Sequence, residues 1–283
     1  MKHYHLHEHD LSMLHFEINE AGPYCQYNID HCFKPHRHTF YQVIWFKSSG
    51  KHYVDYQVLY HNKDTILFID KNQLHYFCSD SENKGVLFHF DDVFISKYVL
   101  SAEKRFLYTL FSGIGDRCIN LGEVDTIRLN QLVSILKEEM LEKKKFFQQQ
   151  IALVFQSFLL ILERLKSDTQ ATSTNDPLRD LAVTFKRAVQ AQLSEFKSLD
   201  DYAQGLNTNI KKLTLASKKY FNDTPNAIIH REKLLESKRL LLNSNLTIQE
   251  IAYSLGYDQP TYFIKVFKKF YKMTPKAFRD TIV

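Results

Sequence analysis

The sequence predicts an α+β protein of two domains: a β-barrel with packed helices, then an all-α domain holding two helix-turn-helix units on a connecting helix. Three observations carry this. Residues 1 to about 100 hold short runs of β-branched and aromatic residues separated by turn signals. Near Val93 the apolar spacing becomes helical. After residue 198 one helical unit occurs twice, 49 residues apart. A length of 283 residues suits two domains of roughly 100–200 residues each.

In chain order, strands are expected at Phe40–Phe46, Lys51–Tyr56, Thr65–Ile69 and Gly85–Phe90. Ser48-Ser49-Gly50, His61-Asn62-Lys63-Asp64 and Asp70-Lys71-Asn72 punctuate them. Closely spaced short strands point to a sandwich or barrel over about 10–92. Helices fill about 93–166. Leu129, Leu132, Val133, Leu136 and Met140 keep helical spacing, and Ile151–Leu165 is nearly all apolar. Such a helix needs cover on several sides, from the barrel or from a second copy of itself. Both covers stay open. The polar, unperiodic residues 167–177 are expected to be a linker between a first domain, 1–166, and a second, 178–283.

Composition excludes several classes. Hydrophobic residues at 44% and charged residues at 24% exclude disorder. The first ten residues lack an apolar run, so no secretory leader is expected. The longest apolar stretch is interrupted by Gln156, Ser157, Glu163 and Arg164, so no membrane span is expected. Cys25, Cys32, Cys78 and Cys118 form no C-x-x-C pair and are read as reduced thiols in a cytoplasm. Net charge is +5 but uneven: residues 177–283 carry +8 and the remainder −3. A basic second half suits contact with a polyanion.

The repeat is the most informative feature. Leu199–Asn207 aligns with Ile248–Gly256, matching Ala203 to Ala252 and Leu206 to Leu255. Ser198-x-x-Asp201 and Thr247-x-x-Glu250 read as capping boxes. A small alanine lets a second helix cross closely, and Asn207 or Gly256 can take the left-handed conformation of a tight turn. In the helix after each turn, Leu213, Ala216 and Tyr220, or Phe263, Val266, Phe267 and Phe270, form an inner face. Lys211, Lys212, Lys218 and Lys219, or Lys265, Lys268, Lys269 and Lys272, form an outer stripe. Thr224-Pro225 and Thr274-Pro275 close the two units. One lysine stripe is an ordinary solvated face; two behind matched turns form a helix-turn-helix pattern.

Residues 178–283 resemble the DNA-binding domain of the AraC/XylS family of bacterial transcription regulators. Ile248–Gly256, Tyr257, Tyr262-Phe263, Phe267-Lys268-Lys269 and Thr274-Pro275-x-x-Phe278-Arg279 carry the closer match. Lys233-Leu234-x-x-Ser237-x-x-Leu240-Leu241 resembles the connecting helix. Asn207, Lys233, Ser237 and Lys272 depart from the family's Gly, Arg, Ala and Gly. The resemblance implies that each recognition helix enters a major groove of double-stranded DNA. It implies base-facing positions at Lys211, Thr214 and Leu215, then at Pro260, Thr261, Ile264 and Lys265. Asn209, Lys218, Lys219, Gln259, Lys268 and Lys269 are expected on phosphates.

Pro35-His36-Arg37-His38, Phe40-Tyr41-Gln42 and Ile69–His75 resemble the two motifs of cupin-type barrels, with Lys71-Asn72 in place of the second motif's Pro-Gly. The resemblance implies a sensor barrel whose mouth binds a small-molecule effector beside His36, His38, Phe40, Gln42 and His75. Gln42 stands where metal-binding cupins carry a carboxylate, so no cofactor is expected; a divalent metal on His36, His38 and His75 is the weaker alternative. The His3, His5, His7 and His9 alternation is left outside the site.

A cytoplasmic, effector-controlled transcription regulator is the expected function, with a homodimer and, for an activator, RNA polymerase as partners. A metal-dependent cupin enzyme with a helical appendage is one alternative. A nonspecific nucleic-acid-coating protein is another.

Overall fold

The computed structural model describes residues 3–4, 6, 14–55, 57–71, 73–99, 104–112, 117–168, 176–195, 197–243 and 245–280. It divides into two compact units, Met1–Thr174 and Asn175–Val283.

In the first unit, β1 (His3–Tyr4), β2 (Phe16–Glu20), α1 (Ala21–Tyr27), α2 (Ile29–Cys32) and β3 (Arg37–His38) lead into β4 (Tyr41–Phe46). Next come β5 (Gly50–Val54), β6 (Gln57–His61), β7 (Thr65–Ile69), β8 (His75–Phe77) and β9 (Gly85–Phe90). The unit continues with α3 (Asp92–Tyr98), α4 (Lys104–Phe111), β10 (Cys118–Asn120), α5 (Glu123–Glu142) and α6 (Phe147–Asp168).

Strand β4 is central to a five-stranded sheet of order β10-β7-β4-β9-β2. Val43 faces Phe68 of β7 on one side and Phe88 of β9 on the other, both pairings antiparallel. All six β4 residues are buried because both faces of this sheet are covered. Tyr41, Val43 and Trp45 face a core shared with α3 to α6, where Phe155 and Phe158 stack beside Phe88. Ile44 and Phe46 face a second core with Val54 and Phe77 of the three-stranded sheet β6-β5-β8. Cys25 and Cys32, from α1 and α2, close that second core.

The sheet is therefore the cover that α6 needed: Ile151, Phe155, Phe158, Leu159 and Leu162 are buried in the first core. Leu153 and Leu160 remain 64% and 47% exposed. Three elements depart from expectation. Helices α1 and α2 interrupt the region expected to be continuous β, and β10 lies in the region expected to be helical. β10 pairs with β7 through only three residues, and Thr65 donates to Asn120 at 2.8 Å. Three residues are too few to display a period.

The second unit comprises α7 (Pro177–Ala191), α8 (Leu199–Gly205), α9 (Ile210–Phe221), α10 (Pro225–Asn243), α11 (Ile248–Ser254), α12 (Pro260–Tyr271) and α13 (Pro275–Asp280). Helix α10 contributes to two cores. Ile228 and Ile229 join α7, α8 and α9, while Leu234 and Leu241 join α11 and α12, with Phe278 of α13 packed against them. The expected linker is shorter at its described ends: α6 continues to Asp168, and Pro177 is the first residue of α7, capped by Asp176. Proline suits that position because its missing N–H would have no helical partner. Residues 169–175 lie outside the described residues. No helix among the described residues is long and apolar enough to cross a membrane.

Candidate nucleic-acid interface and ligand pocket

The two repeated units are built alike from their caps onward. Ser198 caps α8 and Thr247 caps α11, each in a full capping box with Asp201 or Glu250. Asn207 and Gly256 hold φ of 50° and 68°, the left-handed turn expected of both. The residue after each donates back to the buried alanine: Thr208 N to Ala203 O at 2.9 Å, Tyr257 N to Ala252 O at 3.0 Å. A Cβ on Gly256 would meet the Glu195 carbonyl at 3.0 Å, so glycine is required there on two grounds. Asn222 and Lys272, the C-caps of α9 and α12, also take left-handed φ, 52° and 61°.

The units differ in one respect. Helix α8 maps onto α11 with an offset of 49 residues, but α9 maps onto α12 with an offset of 50. The second turn is one residue longer. Lys211, Thr214 and Leu215 consequently correspond to Thr261, Ile264 and Lys265, and Asn209, Lys218 and Lys219 to Gln259, Lys268 and Lys269.

All the expected DNA-facing residues reach the surface. Lys211, Leu215, Lys218, Lys219, Thr261, Lys265, Lys268 and Lys269 are exposed, with Thr214, Pro260 and Ile264 half-buried beside them. Leu215 is 56% exposed, which suits a groove-facing apolar contact better than a solvated face. Asn209 caps α9 through Lys212 N at 2.8 Å, whereas Gln259 caps α12 with no side-chain bond. Lys219 is engaged with Asp176 at 2.5 Å, and the Tyr220 hydroxyl donates to the same carboxylate oxygen.

The inner faces need one correction. Leu213, Ala216, Phe263 and Phe267 are buried, but Phe270 is 45% exposed. Tyr271 packs inward instead, 4.8 Å from Phe267. The structure also adds Tyr262, 52% exposed beside Thr261, a residue passed over for the interface. Its signal was an aromatic residue off the inner stripe of α12.

Two departures in the connecting helix are accommodated by burial. Lys233 lies over the Tyr257 ring at 5.4 Å with Nζ 3.4 Å from Glu195 O. Burial lowers its pKa. Ser237 donates to Leu234 O at 2.7 Å.

In the first unit a cavity of about 40 Å³ opens between α1, α2 and the strand ends. His36, His38, Phe40 and Gln42 line it as expected, joined by Tyr4, Tyr24, His31, Cys32 and Phe77. His75 does not. It is buried, 4.9 Å from the His38 ring and bonded to His52 at 3.1 Å. His38 stacks on Phe40 at 4.1 Å, and its Nδ1 donates to Phe40 O at 2.7 Å. Burial holds His38 and His75 well below the usual histidine range and His52 at about 3. Among the described residues, no group of three or more His, Cys, Asp or Glu is arranged to hold a metal. His5, His7 and His9 lie outside the described residues.

Residues 202–281 match the family model for a helix-turn-helix domain. The regulatory protein PocR of Salmonella typhimurium is 34% identical over 96 residues, 34% of this chain and 32% of its own. The C-terminal unit is an AraC-type helix-turn-helix domain. The transcriptional activator RhaR of Escherichia coli is 21% identical to the chain over 258 residues, 87% of each. The solved C-terminal domain of AraT, a response regulator from Geobacillus stearothermophilus, is 26% identical to the AraC-type domain. It covers 38% of this chain and 88% of its own at a TM-score of 0.36. The chain spans about a third of the length of the first curated relatives it matches.

Proposed function

We propose that the chain is a sequence-specific DNA-binding transcription regulator of the AraC/XylS type, acting in the cytoplasm. The observation that carries this reading is the matched pair of left-handed turns, Asn207 and Gly256, each followed by a helix whose exposed face is basic. The regulators matched by sequence support it and favour it over a cupin enzyme. At equivalent positions the two helices carry different chemistry. Lys211 and Lys265 can donate to guanine, Thr214 and Thr261 can donate or accept, and Leu215 and Ile264 offer apolar contact. The two half-sites should then differ in sequence. Asn209, Gln259 and the paired lysines Lys218, Lys219, Lys268 and Lys269 set register on phosphates.

The first unit serves as a cupin-like sensor barrel with a small-molecule effector in the cavity beside His38 and Gln42. Effector binding shifts DNA affinity by its preference for one state, typically about 1–3 kcal/mol. A homodimer through α5 and α6 would cover Val124, Ile127, Leu153 and Leu160, all exposed. Sedimentation as a monomer at micromolar concentration would remove it. RNA polymerase is the partner of an activator.

Binding-site selection on random duplex at two salt concentrations tests the main reading. An enriched motif covering two successive major-groove segments is expected. A bound pool without a motif would favour nonspecific coating.

A further inference from the structure

The two recognition helices share one frame, with an exchange inside it. Across the offset of 50 residues their exposure matches through the first turn and a half. Lys211 and Thr261 are exposed, Leu213 and Phe263 buried, Thr214 and Ile264 half-buried, Leu215 and Lys265 exposed again. Side chains at equal positions therefore meet equal steps of their own groove segments. In α9 a lysine leads at 211 and a leucine follows at 215. In α12 a threonine leads at 261 and the lysine follows at 265. The amino group has moved by one helical turn, and an apolar group takes its place in α9.

Leu215 is 56% exposed and belongs to neither core of the second unit. A single exposed leucine is ordinary on a protein surface, so exposure alone decides nothing. Its surroundings decide more. The exposed residues described in α9 are four lysines and Leu215, with Lys211 one turn before it and Lys218 one turn after. Neither α9 nor α12 contains an Asp or Glu. On a face that lysines hold against phosphates, Leu215 is the group that can neither pair with a phosphate nor hydrogen-bond a base edge. In the major groove the apolar group that a base offers is the C5 methyl of thymine; the other features of the base edges are donors and acceptors that a leucine would leave unpaired.

We propose that Leu215 is a specificity-determining residue that packs on the C5 methyl of a thymine, at the step where Lys265 donates to a guanine in the other half-site. The inference rests on the sequence-reading interface above. Residues four apart on a helix are separated by roughly 6 Å along its axis, and stacked bases by about 3.4 Å. The two contacts of each helix then fall about two base pairs apart. With Lys211 on a guanine, the first half-site orders guanine before thymine. The second carries its guanine about two base pairs later in its own frame, so the half-sites are not copies of one another.

The test uses the full chain and the operator recovered by selection. Each thymine is replaced in turn by uracil, which lacks only the methyl. At one thymine the replacement should weaken wild-type binding about fourfold, the worth of one buried carbon, and have no effect on Leu215→Ala. Leu215→Lys should change the preferred base pair at that same step from A·T to G·C. Unchanged far-UV circular dichroism shows that both variants fold. If no thymine has a methyl effect that Leu215→Ala abolishes, the assignment is overturned, while the recovered motif still supports a sequence-reading regulator. Failure to recover any motif overturns both.

Discussion

Lys219 Nζ lies 2.5 Å from Asp176 Oδ2, so a cation of the first recognition helix is tied to the residue that caps α7. The Tyr220 hydroxyl donates to the same oxygen, and Leu178 N donates to Oδ1 of that carboxylate at 2.8 Å. These bonds hold the Asp176 pKa at about 2, so the carboxylate is ionised at any pH near neutrality. On the proposed interface, a DNA phosphate and Asp176 would compete for one ammonium group.

Asp176→Asn removes that competitor. The variant should bind duplex more tightly, and its log affinity should fall more steeply with log salt by about one unit. Fluorescence anisotropy at four salt concentrations measures both. An unchanged slope would place Lys219 away from phosphate.

Lys265→Ala should cost about 1–3 kcal/mol on the preferred operator and relax preference at one base pair. Lys268→Ala should weaken all duplexes alike and reduce the salt slope by about one. Competition binding against single-base operator variants distinguishes the two. Equal loss by Lys265→Ala on every sequence would assign that residue to phosphate.

The four left-handed positions predict opposite signs. Gly256→Ala strains φ at 68° and drives a Cβ to 3.0 Å from the Glu195 carbonyl, so it should destabilise by about 1–3 kcal/mol. Lys272→Gly relieves φ of 61° and should stabilise by up to about 1 kcal/mol. Urea unfolding followed by circular dichroism gives both values. A neutral Gly256→Ala would mean that the turn can re-form.

The buried histidines make the first unit acid-sensitive. His38, His52 and His75 resist protonation when folded, with His52 held at about 3, while the unfolded chain takes up protons near pH 6.5. Stability is therefore full above about pH 6.5 and falls as pH drops toward the folded values. The slope approaches ~1.4 kcal/mol per pH unit for each histidine. The only tryptophan, Trp45, is buried in this unit, so its fluorescence reports this unit alone. A lower Trp45 midpoint in urea at pH 5 than at pH 7.5 is expected. Equal midpoints would show that the imidazoles are already hydrated.

The second unit was legible because its rules are local. Capping boxes, left-handed turn residues and helical spacing all act within a dozen residues, so Ser198, Asn207, Thr247 and Gly256 could be assigned from their neighbours. The one-residue difference between the turns lies beyond the 49-residue repeat, which ends at Asn207 and Gly256. In the first unit β7 and β9 were legible from apolar runs, but β10 was too short to show a period. The burial of His75 behind the cavity depends on its bond to His52, a partner 23 residues away. Phe270 misses the core because the inner stripe of α12 advances by four residues, through Phe263, Phe267 and Tyr271, rather than by three.

Helix α10 works as a strut between the two repeated units. Its 19 residues span roughly 28 Å at about 1.5 Å per residue, and each half is locked into a different core. It acts as a rigid spacer that fixes angular phase as well as distance. One base pair added between the two half-sites turns the second away by roughly 35°, since about 10 base pairs complete a turn. A rigid spacer cannot follow that rotation. Operators should thus tolerate changes of sequence in the central base pairs far better than changes in their number.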